Sequence, residues 1–190
     1  MSGKFWYDSS TEPKRSFRWF FSLAGAAGAS KIETYAIKTV KKPSFAISEI
    51  PHQYAAHTFY YPGRVTWNPV ELTFVDPVVP DQSAVITNMF AEAGYNLPTT
   101  EVTALRSFSK NAFVGAVGDP KITQVDADGE IIEEWVLANA FFTNVDYGQL
   151  DYSSEELVII SVTLRYDYAT FQTFGSDRTP ESLLTPGSGA

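Results

Sequence analysis

Residues 158–168 read VIISVTLRYDY, and they set the class of fold. Apolar or aromatic side chains occupy every second position from Val158 to Tyr168, and polar side chains occupy most positions between them. A period of two places alternate side chains on opposite faces of an extended chain, which predicts a β-strand with one buried face. Strands usually have five or six residues, so one continuous strand here would be about twice the usual length.

Shorter segments elsewhere show the same alternation, with many β-branched and aromatic residues. They are residues 15–23, 32–40, 65–75, 122–125 and 131–142. In 65–75 we expect an interruption or bulge at Pro69, which has no amide hydrogen for a sheet ladder. The DADG sequence at 126–129 predicts a hairpin turn between the strands that flank it.

One segment, residues 82–93, predicts a helix. Its i,i+4 pairs form an apolar stripe that consists of Val85, Ile86, Met89 and Phe90. We expect Asp81 to cap the first turn and Gly94 to end the helix. The predicted fold is therefore mainly β, with about six or seven mostly antiparallel strands in a small sandwich or barrel and one flanking α-helix.

The remaining segments predict extended loops and arms. Residues 41–60 contain prolines and irregularly spaced apolar side chains, so we expect a long loop whose side chains need a surface to pack on. Residues 94–120 predict a second long loop with one helical turn at most, near 100–108. Residues 1–14 are interpreted as an N-terminal arm and residues 172–190 as a mobile tail.

Composition excludes several classes of function. The 190 residues carry 14 basic and 22 acidic side chains, a net charge of −8, which disfavours tight binding of nucleic acid. The absence of cysteine excludes disulfides, thiolate metal sites and a cysteine nucleophile. The short cluster of Lys38, Lys41 and Lys42 is expected to pair with acidic groups of this chain or of a neighbour. A stretch resembling a signal peptide at 19–29 alternates like a strand, and we favour the strand.

Motifs that imitate catalytic or metal sites have simpler interpretations. Residues 126–130 lack the third ligand and the bidentate glutamate of a calcium loop. His52 and His57 belong to no metalloprotease or nucleophile motif and are interpreted as surface or interface histidines. Glu133 and Glu134 would point to opposite faces of a strand, so they cannot bracket one glycosidic bond. The sequence therefore predicts no enzyme and no metal site.

Two longer segments resemble tail tube proteins of contractile-tailed, myovirus-type bacteriophages. Residues 60–74, YYPGRVTWNPVELTF, resemble the family's P-G-x-x-x-W-x-P segment. Residues 139–154, NAFFTNVDYGQLDYSS, and the strand pattern at 162–168 resemble its C-terminal half. The resemblance covers roughly residues 15–170 and implies a tail tube domain over 15–171. The N-terminal arm, the 94–120 insertion and the last twenty residues are longer than in the usual family member.

The resemblance implies two packed antiparallel sheets with a flanking helix, a fold shared with type VI secretion tubes. It also implies hexameric rings, whose inner sheets join edge to edge and which stack into a hollow tube inside a contractile sheath. Implied partners are further copies of the chain, the sheath, baseplate, tail terminator and tape measure proteins, and genomic DNA held loosely in the lumen. Catalysis, cofactors and membrane insertion are not implied. The implied location is the virion tail tube, assembled in the host cytoplasm.

The apolar side chains of 41–60 then gain an expected partner, the next ring. Contact between subunits or rings is predicted for Phe45, Ile47, Tyr54, Phe59 and Tyr61. A lumen lined by net acidic charge is also expected, because basic patches would hold DNA phosphates.

Three alternatives remain at this stage. The first is a tube subunit of a phage-derived or type VI-like machine that injects protein. The second is a monomeric β-barrel that binds a small apolar ligand. The third is a hydrolase on a β scaffold, for which no nucleophile and base are apparent.

Overall fold

The computed structural model describes residues 12–24, 31–32, 34–95, 98–174 and 180–182. Within these ranges the helices are α1 (Gln82–Glu92), α2 (Glu101–Ala104) and α3 (Lys110–Val117), and a 3-10 turn covers Thr34–Ala36. The strands are β1 (Trp19–Ala24), β2 (Lys31–Ile32), β3 (Ile37–Val40), β4 (Phe45–Tyr54), β5 (His57–Trp67), β6 (Val70–Val75), β7 (Lys121–Val125), β8 (Ile131–Ala138), β9 (Phe141–Asp146), β10 (Ile159–Arg165), β11 (Tyr168–Phe174) and β12 (Pro180–Ser182).

The strands form three antiparallel sheets. One sheet has the order β12-β11-β8-β7-β1-β2, the second has the order β3-β6-β10-β9, and the third is the β4–β5 hairpin. The first two sheets pack in the manner of a sandwich. They do not close into a barrel, because β3 and β9 each pair with one neighbour among the described strands. The predicted mainly β fold is confirmed, as an open sandwich.

The core lies between the inner faces of the two larger sheets. Along β10 the alternation predicted from the sequence is kept, with Ile160, Val162 and Leu164 almost fully buried. The other sheet and the helices contribute to the same cluster Phe21, Leu23, Ile122, Leu137, Ile86, Met89, Phe113 and Val117. Burial of each large apolar side chain is worth about 1.5–3 kcal/mol, so this cluster holds the sheets and helices together.

The single strand predicted over 158–168 is wrong, because two strands in different sheets take its place. β10 ends at Arg165 and β11 begins at Tyr168. Between them the amide of Asp167 donates to the carbonyl of Ala138 at 3.0 Å. The predicted strand 131–142 is also divided, at Asn139, whose φ of +55° turns the chain from β8 into β9. The side-chain amide Nδ2 of Asn139 donates to the Asp167 carboxylate at 2.8 Å and joins the two corners.

The predicted loop over 94–120 contains α2 and α3, so the expectation of one flanking helix falls short. Each helix has a hydroxyl cap: Thr100 accepts from the amide of Thr103, and Ser109 accepts from that of Ala112. The expected features of α1 are confirmed, since Asp81 caps the helix at 2.9 Å and Gly94 follows it with φ +101°.

The predicted loop over 41–60 is also wrong as secondary structure, since β4 and the start of β5 occupy most of it. The expected break at Pro69 is confirmed between β5 and β6, and the turn at 126–129 connects β7 and β8. The predicted strand 32–40 is interrupted by the 3-10 turn. β11 and β12 pair within the segment interpreted as a mobile tail. Most of the N-terminal arm and the end of the tail lie outside the described residues.

Candidate assembly surface

The β4–β5 hairpin carries apolar side chains on strands that are exposed along nearly their whole length. The two strands pair antiparallel from Phe45–Trp67 at the base to Tyr54–His57 beside the turn, with one register shift between them. Ala55 and Ala56 form the turn. All ten residues of β4 are exposed, and β5 has only Gly63 and Trp67 half-buried. A two-stranded hairpin alone is marginally stable in water, so this element needs a surface to pack on.

The pairing register divides the hairpin side chains between two faces, because paired residues share a face and successive residues alternate. Ile50 pairs with Tyr61, and His52 pairs with Phe59. We call the surface near the turn the distal face; it consists of Ile50, His52, Tyr54, His57, Phe59 and Tyr61. The rings of His52 and Tyr61 lie 6.5 Å apart in an edge-on arrangement.

The structure therefore brings three of the five predicted contact residues together. Phe45 and Ile47 lie on the opposite face near the base of the hairpin, paired with Trp67 and Val65. The Phe45 and Trp67 rings are 5.1 Å apart, and Trp67 lies 5.9 Å from Tyr166 of the body. Phe45 thus belongs to the attachment of the hairpin to the sandwich. The role of all five residues in contact between subunits stays a prediction.

A bulge in β5 fixes how the two hairpin strands align. The Pro62-Gly63 pair lies inside β5, where the register shifts opposite Ser48. The amide of Arg64 donates to Ser48 Oγ at 2.9 Å. A Cβ on Gly63 would lie 2.3 Å from that oxygen, so only glycine fits. Bulges of this kind twist a hairpin and hold its register.

An open groove, which we call the aromatic groove, lies between the hairpin base, α1, α3 and β9. Its volume is about 860 Å³. The floor is a cluster in which Phe113 lies 5.5 Å from Phe90 and 5.1 Å from Phe108. Phe108 is 44% exposed although it faces other aromatic rings. The groove therefore offers apolar surface that the described part of the chain leaves uncovered.

The rim of the aromatic groove is polar. Lys110 donates to the Asp167 carboxylate at 2.6 and 2.8 Å, and Asn144 and Arg165 also line the groove. Hydrogen bonds from Lys110, and then from Asn139, hold the pKa of Asp167 below its usual value. A polar rim around an apolar floor is the usual anatomy of a protein interface.

The edge strands of the four-stranded sheet are open in the described structure. β9 pairs with β10, and β3 pairs with β6, each along one side only. Thr143, Asn144 and Asp146 of β9 are exposed. Unpaired strand edges are ready to pair with another chain unless something covers them.

A buried carboxylate ties three segments together next to the hairpin base. Glu133 of β8 is 4% exposed and accepts hydrogen bonds from Lys14 and Lys42. Lys42 also donates to Gln124 Oε1 at 2.7 Å, and Gln124 donates to the carbonyl of Arg15 at 3.0 Å. Burial acts to raise the pKa of Glu133, but the hydrogen bonds from the two lysines outweigh it and the pKa is lowered.

The expected pairing of the lysine cluster is thus confirmed for Lys42. His52 and His57 lie exposed on the hairpin. No group of three His, Asp or Glu side chains suited to a metal ion occurs in the described ranges. No helix there is long and apolar enough to cross a membrane.

Sequence reasoning missed the aromatic groove and the Glu133 network. The groove combines Trp67, Phe90, Phe108 and Phe142, which are far apart in sequence and show no common period. The one indication in the sequence was the number of phenylalanines between residues 108 and 142, which is larger than a single core strand would bury. Glu133 could not be distinguished from Glu134 because burial depends on which face of β8 turns inward.

The chain is similar in structure to components of contractile injection systems and phage tails. A chain of the anti-feeding prophage baseplate has a TM-score of 0.62 at 13% identity, covering 84% of this chain and 95% of that chain. A chain of the sheath-tube complex of an extracellular contractile injection system, PVC, has a TM-score of 0.61 at 17% identity, covering 87% and 98%. A chain of the SPP1 tail tube has a TM-score of 0.54 at 14% identity, covering 85% and 80%. No family model and no curated protein matches the sequence.

Proposed function

We propose, on the premise that this chain has the tail tube fold, that it is the structural subunit of the inner tail tube of a contractile bacteriophage tail. Six copies form a ring, and rings stack into a hollow tube. The tube is the conduit through which the genome is ejected into the host. The chain acts by assembly and catalyses no reaction.

The observation that supports assembly is the exposed β4–β5 hairpin beside open sheet edges. A large apolar patch on a soluble monomer is unusual and marks a site of protein contact. Tyr54 is 72% exposed, and Phe59 and Tyr61 are each more than half exposed. Contact with the next ring through these residues would remove that surface from water, and pairing at β3 and β9 would satisfy the edges.

The acidic composition supports DNA as the cargo. A net charge of −8 per subunit repels phosphates and lets DNA pass without stable contacts. We expect the residues that face the lumen to sum to a negative charge. A map of the assembled tube with a strongly positive lumen would contradict this part of the proposal.

The similar structures suggest partners by analogy. They belong to a baseplate, a tube terminating cap and a sheath-tube complex. We propose that this chain likewise meets sheath, baseplate and terminator proteins, with a tape measure protein in the lumen before ejection. The corresponding location is the virion, after assembly in the host cytoplasm.

Electron microscopy of the purified chain tests the proposal. We expect rings or hollow rods with sixfold end views in negative stain. A chain that remains monomeric by light scattering at every concentration, with and without sheath and baseplate proteins, would contradict it.

A second candidate function is a tube that delivers protein. It is favoured by the likeness to structures of the anti-feeding prophage and of PVC, an extracellular contractile injection system. Tubes isolated from producing cells distinguish the two cargoes: nuclease-protected DNA supports a phage tail, whereas protease-protected protein supports an injection device. A ligand-binding monomer is less well supported, because the sheets do not enclose a barrel interior.

A further inference from the structure

We propose that the aromatic groove of one subunit receives the distal face of the β4–β5 hairpin of a second copy. This inference rests on the proposed function, because it requires copies packed side by side in a tube. It assigns a partner to each surface and a role to the 94–120 insertion, which supplies Phe108 and Phe113.

The hairpin cannot reach the groove of its own chain. Val65 and Trp67, at the base of the hairpin, form part of the groove wall. The distal face ends at Tyr54, nine residues from Phe45 along a strand that pairs with β5 on both sides of the bulge at Ser48. At ~3.4 Å per residue the tip lies roughly 30 Å from the base. The distal face of a second copy is free of this restriction.

The two surfaces match in chemistry and in area. Ile50, Tyr54, Phe59 and Tyr61 are each more than half exposed. With ~200 Å² for a whole aromatic side chain, their exposed parts sum to roughly 400–500 Å². A standard interface buries about 800 Å² on each partner, so these four side chains would provide more than half of one side. The aromatic floor offers ring faces and edges to receive them.

The polar rim suits the tyrosines of the distal face. A buried tyrosine hydroxyl needs a hydrogen-bond partner. Asn144, Lys110 and Arg165 line the groove and carry donors, and Asp167 carries acceptors. Tyr54 and Tyr61 can therefore enter with the ring on the floor and the hydroxyl at the rim.

The proposed contact joins two different surfaces, the distal face of one copy and the groove of the next. When it is repeated in one direction from copy to copy, it is a head-to-tail contact. Such contacts generate rings or open helical assemblies instead of isolated dimers. A tube requires this property of its subunit.

Engineered cysteines test the contact, because the native chain has none. One preparation carries Phe59→Cys on the distal face and another carries Asn144→Cys on β9 at the groove. The two are mixed, assembled and oxidised mildly. The matched control replaces Phe59→Cys by Thr58→Cys, which pairs with Gln53 on the opposite face. We expect a disulfide-linked heterodimer to form at least tenfold faster with Phe59→Cys than with Thr58→Cys.

The outcomes separate this inference from the proposed function. Tubes without a heterodimer, or with equal rates for both hairpin positions, overturn the groove contact and leave the tube function standing. Failure of the native chain to form any ring or tube overturns both. Thiol labelling adds a second measurement: Asn144→Cys should react in the free subunit and be protected at least tenfold in tubes. Protection already present in the monomer would mean that another segment of the same chain fills the groove, and would also overturn the inference.

Discussion

Single side chains fix how the segments around the hairpin base are held. Glu133 draws together Lys14 from the N-terminal segment and Lys42 from the segment before β4. Because Glu133 is nearly buried, removal of its charge leaves the two lysines without the carboxylate that pairs with them.

Glu133→Gln should lower the free energy of unfolding by about 1–3 kcal/mol at pH 7, the range for losing hydrogen bonds to a charged group. The matched control is Glu134→Gln on the same strand, whose pair with Lys121 is longer, at 3.4 Å, and more exposed. The control should change stability by less than about 1 kcal/mol. Urea unfolding of both variants measures the two losses of stability. Equal losses would show that the interactions of Glu133 with Lys14 and Lys42 contribute no more than the exposed pair of Glu134 with Lys121.

The same carboxylate predicts a pH dependence. The pKa of Glu133 lies below its ordinary value of 4.5 in the folded protein. A lowered pKa stabilises the fold above the unfolded-state pKa, and that stabilisation is lost as pH falls through the folded-state pKa. The stability gap between the native chain and Glu133→Gln should therefore be constant from pH 7 to about pH 5.5 and should close below about pH 4.5. A gap that widened on acidification would contradict the direction of the shift.

Gly148 is a second residue with a strong local requirement. Its φ is +85°, and an added Cβ would lie 2.6 Å from the carbonyl oxygen of Ile159. Gly129 has a similar φ of +83° but open space around it. We expect Gly129→Ala to cost about 1 kcal/mol from backbone conformation alone. Gly148→Ala should cost at least about 1 kcal/mol more by urea unfolding, and equal costs would mean that the clash is relieved by a loop shift.

Residues whose role depends on near neighbours were predictable from the sequence. Asp81, Gly94 and Asp126 act within their own turn, and the structure confirms each role. Asn139 was not predictable, since its positive φ is imposed by the corner it shares with Asp167.

At the scale of elements, the hairpin decides whether copies associate. Phe59→Asp places a charge in the centre of the distal face, where burial against a partner would then be costly. We expect this variant to fold, because Phe59 is half exposed in the single chain, and to lose most tube formation in electron micrographs.

Thr58→Asp is the matched variant, with the same charge on the opposite face one residue away. It should keep tube formation. Normal tubes from both Phe59→Asp and Phe45→Asp would contradict the predicted contact of this hairpin with the next ring.

Backbone exchange gives an independent measurement on the same element. Among the described residues, the β4–β5 hairpin is exposed along most of its length, so local opening is easy in the free subunit. We expect hydrogen exchange at least a hundredfold faster there than in β10, with protection gained on assembly. Equal protection of both elements in the free subunit would show that the hairpin is stable without a partner.

The elements were predicted well where periodicity sufficed and poorly where the chain changes sheet. The apolar alternation of the sequence runs from Val158 to Tyr168, but Tyr168 is exposed and Ala169 is buried. The buried positions therefore shift by one residue at the corner, which the sequence pattern does not show. In the hairpin, periodicity did not reveal the strands, because apolar residues lie on both faces and a bulge shifts the register at Ser48.

At the scale of the whole molecule, the residues that the structure describes leave two sheet edges open and the groove uncovered. The alternating pattern and the turns of the sequence predicted the class of fold. The groove could not be predicted, because the hairpin base, α3 and β9 come together only in the folded structure. Assembly would therefore complete surfaces that folding leaves exposed.

Net charge opposes that assembly, and salt should relieve it. Each subunit carries −8, and like charges on adjacent copies repel over about 30 Å at 0.01 M salt but only about 8 Å at 0.15 M. The proposed contacts are mainly apolar, so screening removes repulsion without weakening attraction. The critical concentration for tube formation, measured by sedimentation, should fall severalfold over this range of salt. Near the pI of about 4.7 the effect should vanish, because the net charge is then close to zero. A critical concentration that rose with salt would show that ion pairs between subunits, rather than the aromatic contacts, hold the tube together.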